Sequence, residues 1–351
     1  MKMRPFIISF LAVGATLFLV WAVAAQEAKG QAGVQSALFI DAVNHTESES
    51  RSKDLNAVIL DYTADITFTP AFTVYLPAIF KNRGLGRFIF TSERDGLPEI
   101  YVMNVDGTGQ TRLTSLGAIN VSARLSPDGR RIAVGAYYGD DTLQAYVMNV
   151  DGSNPTHIAS VPHGGNYPFW SPDGRILYTV YASNASGSRF TRFYSMNVDG
   201  TAQTHLFDLD IEFGSPLLSP DGQRIVGQTI IDDAGHTDIY VVSIDGTGLT
   251  RLTYRETYSY HPAWSPDGQQ IAFASGVIWI VNTDGTGFTP LPTYGNGSCW
   301  APDWSPDGEW IAFGCGTSHD SEDIFVIRPD GTGLTQLIDS PGSDNTPSWG
   351  P

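Results

Sequence analysis

From about residue 86 to the C-terminus, the chain alternates between short apolar runs and short polar turns. Apolar residues stand two positions apart within the runs, as in Ile132 and Val134 or Ile271 and Phe273. This is the spacing of a β-strand with one buried face. Two turn sequences separate the runs, SPDG and DGT or DGS, in which Pro fixes φ and Gly accepts a positive φ. The pattern therefore predicts a succession of antiparallel hairpins.

Both turn sequences return at a regular spacing. SPDG begins at Ser126, Ser171, Ser219, Ser265 and Ser305. The DG turn begins at Asp106, Asp151, Asp199, Asp245, Asp284 and Asp330, a repeat of 39 to 48 residues. The strand before each DG turn contains one aromatic residue at the same position of the repeat. These residues are Tyr101, Tyr146, Tyr194, Tyr240, Trp279 and Phe325. A repeat of this length with four short strands is typical of a β-propeller blade, because radial packing shields the strand edges.

The fold expected from six copies is all-β, a single six-bladed β-propeller over residues 86–351. The first copy begins at its second strand, with residues 87–90, and has no innermost strand before it. The last copy continues into residues 345–349, which match the innermost-strand pattern. We therefore expect the C-terminal strand to complete the first blade and close the ring.

The repeats resemble the TolB-type, WD-like propeller family in the segments IYVMNVDGTGQTRLT, YVMNVDGSNPTHI, PFWSPDGRILYT and PAWSPDGQQIAFAS. The resemblance covers residues 86–351 and implies that the Trp before SPDG ends the innermost strand of a blade. It gives this structural role to Trp170, Trp264, Trp304 and, in the closing strand, Trp349. Leu125 and Leu218 replace the Trp in two blades. The resemblance implies an exported propeller that binds a protein at the cell envelope.

The resemblance to the TolB family extends only to the propeller. TolB itself carries a larger α/β domain before its propeller, and residues 26–85 leave no room for one. A role in a Tol–Pal-like complex therefore does not follow from the resemblance. We expect residues 26–85 to be a spacer or linker, partly disordered, because they begin rich in Gln, Ala, Gly and Ser.

Residues 1–25 are typical of an export segment, since Lys2 and Arg4 precede a charge-free run from Phe6 to Ala25. The small residues at its end favour a cleaved signal peptide, whereas its length also suits an uncleaved N-terminal anchor helix. Both alternatives place the rest of the chain outside the cytoplasm, in the periplasm, secreted or held at the cell surface. The membrane would then be a partner only through an uncleaved segment.

The amino-acid composition excludes some classes of binding partner. The 351 residues carry 20 Lys and Arg against 37 Asp and Glu, a formal net charge of -17. This acidic balance excludes a nucleic-acid partner, because phosphate binding needs clustered positive charge. Only two cysteines are present, Cys299 and Cys315. Folding the hairpin about residues 305–308 places them opposite each other, so we expect a cross-strand disulfide in an exported protein.

In a four-stranded meander all SPDG and DG hairpins lie on one face of the ring, and the variable loops lie on the other. Variable loops on a rigid scaffold are where binding usually occurs. The acidic residues expected on this variable-loop face are Asp95, Asp140, Asp141, Asp232, Asp233, Asp238, Asp320, Glu322 and Asp323. The binding-face candidates are Tyr137, Asp140, Asp141, Tyr167, Arg189, Arg192, Asp232, Asp233, Tyr258, Tyr260, His261, Trp300 and Asp320. The leading hypothesis is protein binding through this face by a monomeric scaffold.

Catalytic motifs do not emerge from the sequence. The seven histidines are scattered singly, and neither HExxH nor GxSxG occurs. We therefore expect no enzyme activity, no catalytic residues, no metal and no cofactor. The alternative hypothesis is a carbohydrate-binding or polysaccharide-lyase-like propeller using His236, His261 and Arg255, with calcium on the acidic loops as an aid. The acidic clusters lack the ordered spacing of a known calcium loop.

Overall fold

The structure, a computed structural model, describes residues 17–21, 39–43, 86–139, 142–161, 167–230, 235–254, 258–293, 297–316 and 322–350. The chain divides into two compact units, Met1–Thr73 and Val74–Pro351. In the first unit, β1 (Leu17–Trp21) pairs antiparallel with β2 (Phe39–Val43). The rest of the expected export segment and spacer lies outside the described residues. Within those residues, no helix has the length and apolar character needed to cross a membrane.

The second unit is a six-bladed β-propeller, and each blade is an antiparallel meander of four strands. Blade 1 contains, from the centre outwards, β26 (Asp344–Trp349), β3 (Arg87–Ser92), β4 (Glu99–Asn104) and β5 (Thr111–Arg112). Blade 2 contains β6 (Asn120–Leu125), β7 (Arg131–Tyr137), β8 (Leu143–Asn149) and β9 (Thr156–Val161). Blade 3 contains β10 (Phe169–Trp170), β11 (Ile176–Ser183), β12 (Arg189–Met196) and β13 (Thr204–Leu209).

Blades 4 to 6 repeat this order. Blade 4 contains β14 (Gly214–Leu218), β15 (Arg224–Ile230), β16 (Thr237–Ser243) and β17 (Thr250–Arg251). Blade 5 contains β18 (Tyr260–Trp264), β19 (Gln270–Ser275), β20 (Val277–Asn282) and β21 (Thr289–Pro290). Blade 6 contains β22 (Ser298–Trp304), β23 (Ile311–Gly316), β24 (Glu322–Ile327) and β25 (Thr335–Gln336).

The SPDG turns are built by their own side chains, as blade 4 illustrates. The backbone N–H of Gly222 donates to the carbonyl of Ser219 at 2.8 Å, and Gly222 adopts φ 70°. The Ser219 hydroxyl donates to Asp221 at 2.5 Å and accepts from the backbone N–H of Arg224 at 2.9 Å. Because one hydroxyl joins both sides of the turn, the first hairpin of blades 2 to 6 has a fixed geometry.

Ring closure follows the expected route. Strand β26 pairs antiparallel with β3, so that Asp344 lies opposite Ser92 and Trp349 lies opposite Phe88. The rings of Phe88 and Trp349 lie 4.2 Å apart between centroids, and Trp349 is 6% exposed. The C-terminal strand thus completes blade 1, which confirms the predicted all-β ring and its closure.

Neighbouring blades are joined near the centre by the Trp residues that precede SPDG. The indole N–H of Trp170 in blade 3 donates to the carbonyl of Arg124 in blade 2 at 2.9 Å. Trp264 in blade 5 makes the same bond to Leu217 in blade 4 at 3.0 Å. Trp304 ends the innermost strand of blade 6 and is 6% exposed. These indoles therefore fill the junctions between blades.

The two cysteines face each other in blade 6. Cys299 of β22 and Cys315 of β23 are register partners with Cα atoms 4.1 Å apart, and a disulfide joins them. Their side chains are 0% and 3% exposed. The disulfide links the innermost strand to its neighbour close to the variable-loop face.

We expect deletion of residues 345–351 to open the ring, lowering the melting temperature and the resistance to proteases. The milder change Trp349→Ala should lower the free energy of unfolding by about 3–5 kcal/mol, because it empties a buried aromatic site. Leu249→Ala, at a side chain 41% exposed, is the control and should change it by less than about 0.5 kcal/mol. Unchanged melting of the truncated protein would show that β26 does not close the ring.

Mass spectrometry of the non-reduced protein should find no free thiol. The double variant Cys299→Ala/Cys315→Ala removes a cross-link between residues 16 apart in sequence. Its free energy of unfolding should be lower by about 3 kcal/mol, since the unfolded chain is no longer constrained. Two alkylatable thiols in the native, non-reduced protein would contradict the disulfide.

Candidate functional site

A central funnel opens on the variable-loop face of the ring. It encloses about 910 Å³ and is walled by the upper parts of the innermost strands and the loops beside them. Each blade contributes to the wall, as shown by Asn345, Ser122, Tyr167, Ser215, His261 and Trp300 in blades 1 to 6. A concave site of this volume is large enough for a small ligand or a short chain segment.

Four innermost strands carry a β-bulge at the same level of the funnel. The bulged residues Ser215, His261, Ala301 and Thr346 have φ of 48°, 51°, 49° and 45°. The register between the innermost strand and its neighbour shifts at each of these positions. All four residues line the funnel. A positive φ in a residue other than Gly costs about 1–3 kcal/mol and is concentrated at functional sites.

The sequence signal for these bulges is a proline inside each of the four bulged strands. Pro216, Pro262, Pro302 and Pro347 each follow a bulged residue directly. A proline cannot donate to the ladder of an interior strand and therefore marks a bulge or an edge. Blade 2 has Ala123 at this position, and its pairing with β7 runs without a break.

Arg124 and His261 bring nitrogen donors into the funnel. The Arg124 side chain makes no hydrogen bond and no ion pair with any described residue, and its Nη1 atom is buried. The imidazole of His261 packs edge-on against Tyr260, with 5.3 Å between ring centroids. Its Nδ1 atom is buried without a hydrogen-bond partner among the described residues. Burial, together with the positive charge of Arg124, lowers the pKa of His261 to about 4.

Asp303 lies on β22, on the innermost strand of blade 6. Its carboxylate accepts a hydrogen bond from the backbone N–H of Trp349 at 2.7 Å. Burial raises the pKa of Asp303, while the charge of Arg124 and the backbone hydrogen bonds oppose that rise. Asp303 therefore joins blade 6 to the closing strand and does not form an ion pair with Arg124.

Two acidic residues expected on the variable-loop face are buried and act within the scaffold. Asp238 is 0% exposed, forms an ion pair with Arg251 and accepts from the Thr253 hydroxyl at 2.5 Å. Glu322 is 1% exposed and accepts at 3.1 Å from the indole N–H of Trp300. The expectation of surface acids was wrong here, because a carboxylate at the start of the third strand reaches inwards.

Glu322 also holds the closing strand. The hydroxyl of Ser343 and the amide of Asn345 each donate to Glu322 at 3.0 Å. One buried carboxylate thus connects β24, β22 and the start of β26 at the funnel wall. Glu99 plays a comparable part in blade 1, where Thr114 at 2.5 Å and Arg112 at 3.0 Å are its partners. Burial would raise the pKa of Glu99, but these hydrogen bonds and the Arg112 charge lower it overall.

Four of the aromatic candidates come together in the funnel, namely Tyr137, Tyr167, Tyr260 and Trp300. The rings of Tyr137 and Tyr167 meet edge to face, 5.8 Å apart between centroids. Burial raises the pKa values of Tyr167 and Tyr260, so both phenols are neutral at ordinary pH. Tyr258 is 51% exposed outside the funnel wall and packs against His236 at 5.4 Å.

The basic candidates of blade 3 are already paired. Arg189 lies 2.5 Å from Glu212, and Arg192 lies 3.6 Å from Asp208. Both are exposed and neither lines the funnel. The remaining candidates, Asp140, Asp141, Asp232, Asp233 and Asp320, lie outside the described residues. In the described part of the chain, no group of three or more His, Cys, Asp or Glu side chains could hold a metal ion.

Large exposed apolar side chains are unevenly distributed over the described residues. On the variable-loop face they are Leu97, Ile119, Tyr138, Ile230, Tyr254 and Tyr258, and on the hairpin face they are Leu249 and Phe288. Ile119 and Tyr138 belong to adjacent segments, since the backbone N–H of Ile119 donates to the carbonyl of Tyr137 at 2.9 Å. We call Ile119 and Tyr138 the rim patch, because Ile119 lines the funnel and Tyr138 belongs to the exposed segment beside it.

These features define a closed six-bladed propeller with an open, amphipathic central funnel. Family comparison agrees, since the model of the TolB beta propeller domain matches residues 78–214 and 147–295. Together the two matches cover more than half of the chain. The chain belongs to the TolB beta propeller domain family.

Solved structures share the fold at low sequence identity. TolB from Acinetobacter baumannii is 21% identical, with a TM-score of 0.60 over 75% of this chain and 66% of its own. A protein from Agrobacterium tumefaciens described as a candidate TolB is 23% identical, with a TM-score of 0.55 over 74% of this chain and 90% of its own. Hydrazine synthase from Kuenenia stuttgartiensis has a TM-score of 0.60 at 13% identity, over 75% of this chain and 46% of its own.

The chain therefore spans slightly less than two thirds of the Acinetobacter protein. No curated protein matches the sequence. Identities this low establish a common fold, and the presence of the fold in hydrazine synthase shows that it serves more than one purpose.

The low pKa of His261 predicts a pH-dependent stability. Its pKa is about 4 in the folded protein against an ordinary value of 6.5, so the unfolded chain binds more protons between these values. The free energy of unfolding should fall by about 1–3 kcal/mol as the pH drops from 6.5 to 4. His261→Asn should reduce this slope by the contribution of the imidazole, because Asn stays neutral and tolerates a positive φ.

The control is His157→Asn, at an exposed histidine of β9, which should keep the slope of the wild type. Denaturant unfolding at several pH values between 4 and 7 measures both variants. An unaltered slope in His261→Asn would show that the imidazole titrates normally in the fold.

Proposed function

We propose that this protein is an exported, non-enzymatic scaffold that binds another protein through its variable-loop face. The observation that carries the proposal is the concentration of large exposed apolar side chains on that face, where six of the eight among the described residues lie. Exposed apolar groups gathered beside a cavity and rimmed by polar residues are typical of protein interaction sites.

Two further features support an extracytoplasmic location. Residues 1–25 have the charge and length pattern of an export segment. The disulfide between Cys299 and Cys315 would persist in an oxidising compartment and would be reduced in the cytosol. In this role the propeller lies in the periplasm, is secreted or stays anchored at the cell surface, and its partner is an envelope protein.

The partner should present a basic and apolar surface. The chain has a net charge of -17, and Asp95 and Glu93 are exposed in the loop between the second and third strands of blade 1. The sequence adds Asp140, Asp141, Asp232, Asp233 and Asp320 in the equivalent loops of other blades. Charge of this sign speeds the approach of a basic partner and repels nucleic acid.

Catalysis has little support from the funnel. Of the described residues that line it, His261 is the one histidine, and its low pKa makes it a weak base at neutral pH. A catalytic histidine is normally oriented by a hydrogen-bonded partner, and none of the described residues bonds to Nδ1 of His261.

One observation favours a second candidate, a carbohydrate-binding or lyase-like propeller. The funnel wall contains the aromatic rings of Tyr137, Tyr167, Tyr260 and Trp300, and such rings combine an apolar face with a polar edge that suits sugars. Calcium on the acidic loops would belong to this candidate. It differs from the first in its binding location, which is the funnel interior and not the rim.

Affinity capture from native envelope extracts, with the full chain as bait, tests the protein-binding role. Ile119→Asp/Tyr138→Asp should lower the recovery of a specific partner at least tenfold, because it places charges in the rim patch. Leu249→Asp, a comparable change on the hairpin face, should not. Replacement of Asp232 and Asp233 by Asn should reduce recovery less, and the wild-type complex should weaken with added salt.

Equal recovery by the wild type and the rim variant would contradict protein binding through this face. Retention of the wild type on a polysaccharide matrix, with loss on Trp300→Ala, would support the carbohydrate candidate instead.

A further inference from the structure

The deep part of the funnel contains a positive charge, the guanidinium of Arg124, that forms no ion pair with the described residues. Arg124 projects from β6, the innermost strand of blade 2, and is part of the funnel wall. Its guanidinium makes no hydrogen bond and no ion pair with the described residues, although Nη1 is buried. Guanidinium donors removed from water are almost always bonded, so the buried Nη1 atom can still donate to an acceptor that enters the funnel.

A second unpartnered group lines the same cavity. His261 is placed there by the bulge of blade 5, which holds its φ at 51°, and its backbone N–H is fixed by Gln228 at 2.7 Å. Its Nδ1 atom is buried and has no partner among the described residues. The positive charge of Arg124 interacts electrostatically with His261, since it contributes to the lowered pKa of the imidazole. Two buried nitrogen atoms from separate blades, Nη1 of Arg124 and Nδ1 of His261, therefore lack a partner among the described residues and belong to side chains that line the same funnel.

Two buried acids near this space, Asp303 and Glu322, already accept hydrogen bonds from other groups. Asp303 accepts from the backbone N–H of Trp349 at 2.7 Å. Glu322 accepts from Trp300 at 3.1 Å and from Asn345 at 3.0 Å. The charges of Arg124 and Asp303 act on each other, but neither acid forms an ion pair with Arg124. The guanidinium therefore keeps its hydrogen-bonding capacity for a molecule that enters the funnel.

We propose that Arg124 and His261 form a binding site for a carboxylate group that enters the funnel from the variable-loop face. A guanidinium matches a carboxylate through two parallel hydrogen bonds. One positive charge beside a neutral imidazole suits a singly charged anion, and the neighbouring acids Glu322 and Asp303 disfavour a dianion such as phosphate. The imidazole can donate from one ring nitrogen to the same anion.

This site is distinct from the rim patch and goes beyond the proposed protein-binding role. The shared chemistry is a carboxylate, which a small free acid or the C-terminus of a peptide chain could supply. The test uses the isolated full chain, so that it does not depend on an envelope partner.

Thermal unfolding at constant ionic strength, with increasing acetate in exchange for chloride, measures anion binding. Acetate should raise the melting temperature of the wild type. Arg124→Gln should weaken the apparent affinity about tenfold or more, since it removes charge-assisted hydrogen bonds. Arg130→Gln makes the same charge change at an exposed position on the hairpin face of the same blade and should behave as the wild type. An equal response of Arg124→Gln, or no response of the wild type, would overturn the proposal.

A second measurement needs only the wild type. The pKa of His261, followed by NMR of the ring Cε1, should rise when acetate is bound, because a neighbouring negative charge favours the imidazolium. An unchanged pKa at saturating acetate would overturn the proposal, even if Arg124→Gln failed to fold.

Two peptide probes identify the source of the carboxylate. Tighter binding of a tetrapeptide with a free C-terminus than of its C-terminal amide would support the site with a chain end as its ligand. Equal weak binding of both peptides, with acetate bound through Arg124, would support it with a small free acid. Failure of all three probes would remove the site and leave the rim-patch experiment to decide the protein-binding role.

Discussion

The pairing of the C-terminal strand β26 with β3 is the contact on which the rest of the propeller depends. An isolated four-stranded sheet exposes its edges, and a ring of blades protects them only when every blade has an innermost strand. Blade 1 takes that strand from the far end of the sequence, and Trp349 inserts against Phe88. Closure also brings Asn345 to Glu322, so the funnel wall between blades 6 and 1 is a product of the same pairing.

The funnel in turn depends on where the innermost strands leave regular geometry. In blades 1, 4, 5 and 6 a bulge before proline turns one residue into the cavity at a cost of about 1–3 kcal/mol each. Blade 2 keeps a regular strand and contributes Arg124. Six similar sequence repeats therefore enclose an asymmetric site, in which a guanidinium from one blade and an imidazole from another line the same space.

The period of the turns and the terminal half-repeats were sufficient to predict the ring, its closure and the opposition of Cys299 and Cys315, because these follow from strand pairing alone. The positions of Asp238 and Glu322 could not be predicted in this way. Whether a carboxylate at a strand end faces solvent or buried donors such as Arg251 and Trp300 depends on how the neighbouring strands pack. The position of Arg124 in the funnel could not be predicted from the sequence either. The alternation of residues in a strand does not show which residues line a central cavity that six blades share.

Hydrogen exchange of the full chain tests the central claim most directly, because it reports on the closing strand without any substitution. If β26 completes blade 1, the amides of β26 should exchange as slowly as those of β3 and should open together with them. Exchange of β26 at the rate of the surface loops, with β3 still protected, would contradict a ring closed by its own C-terminus.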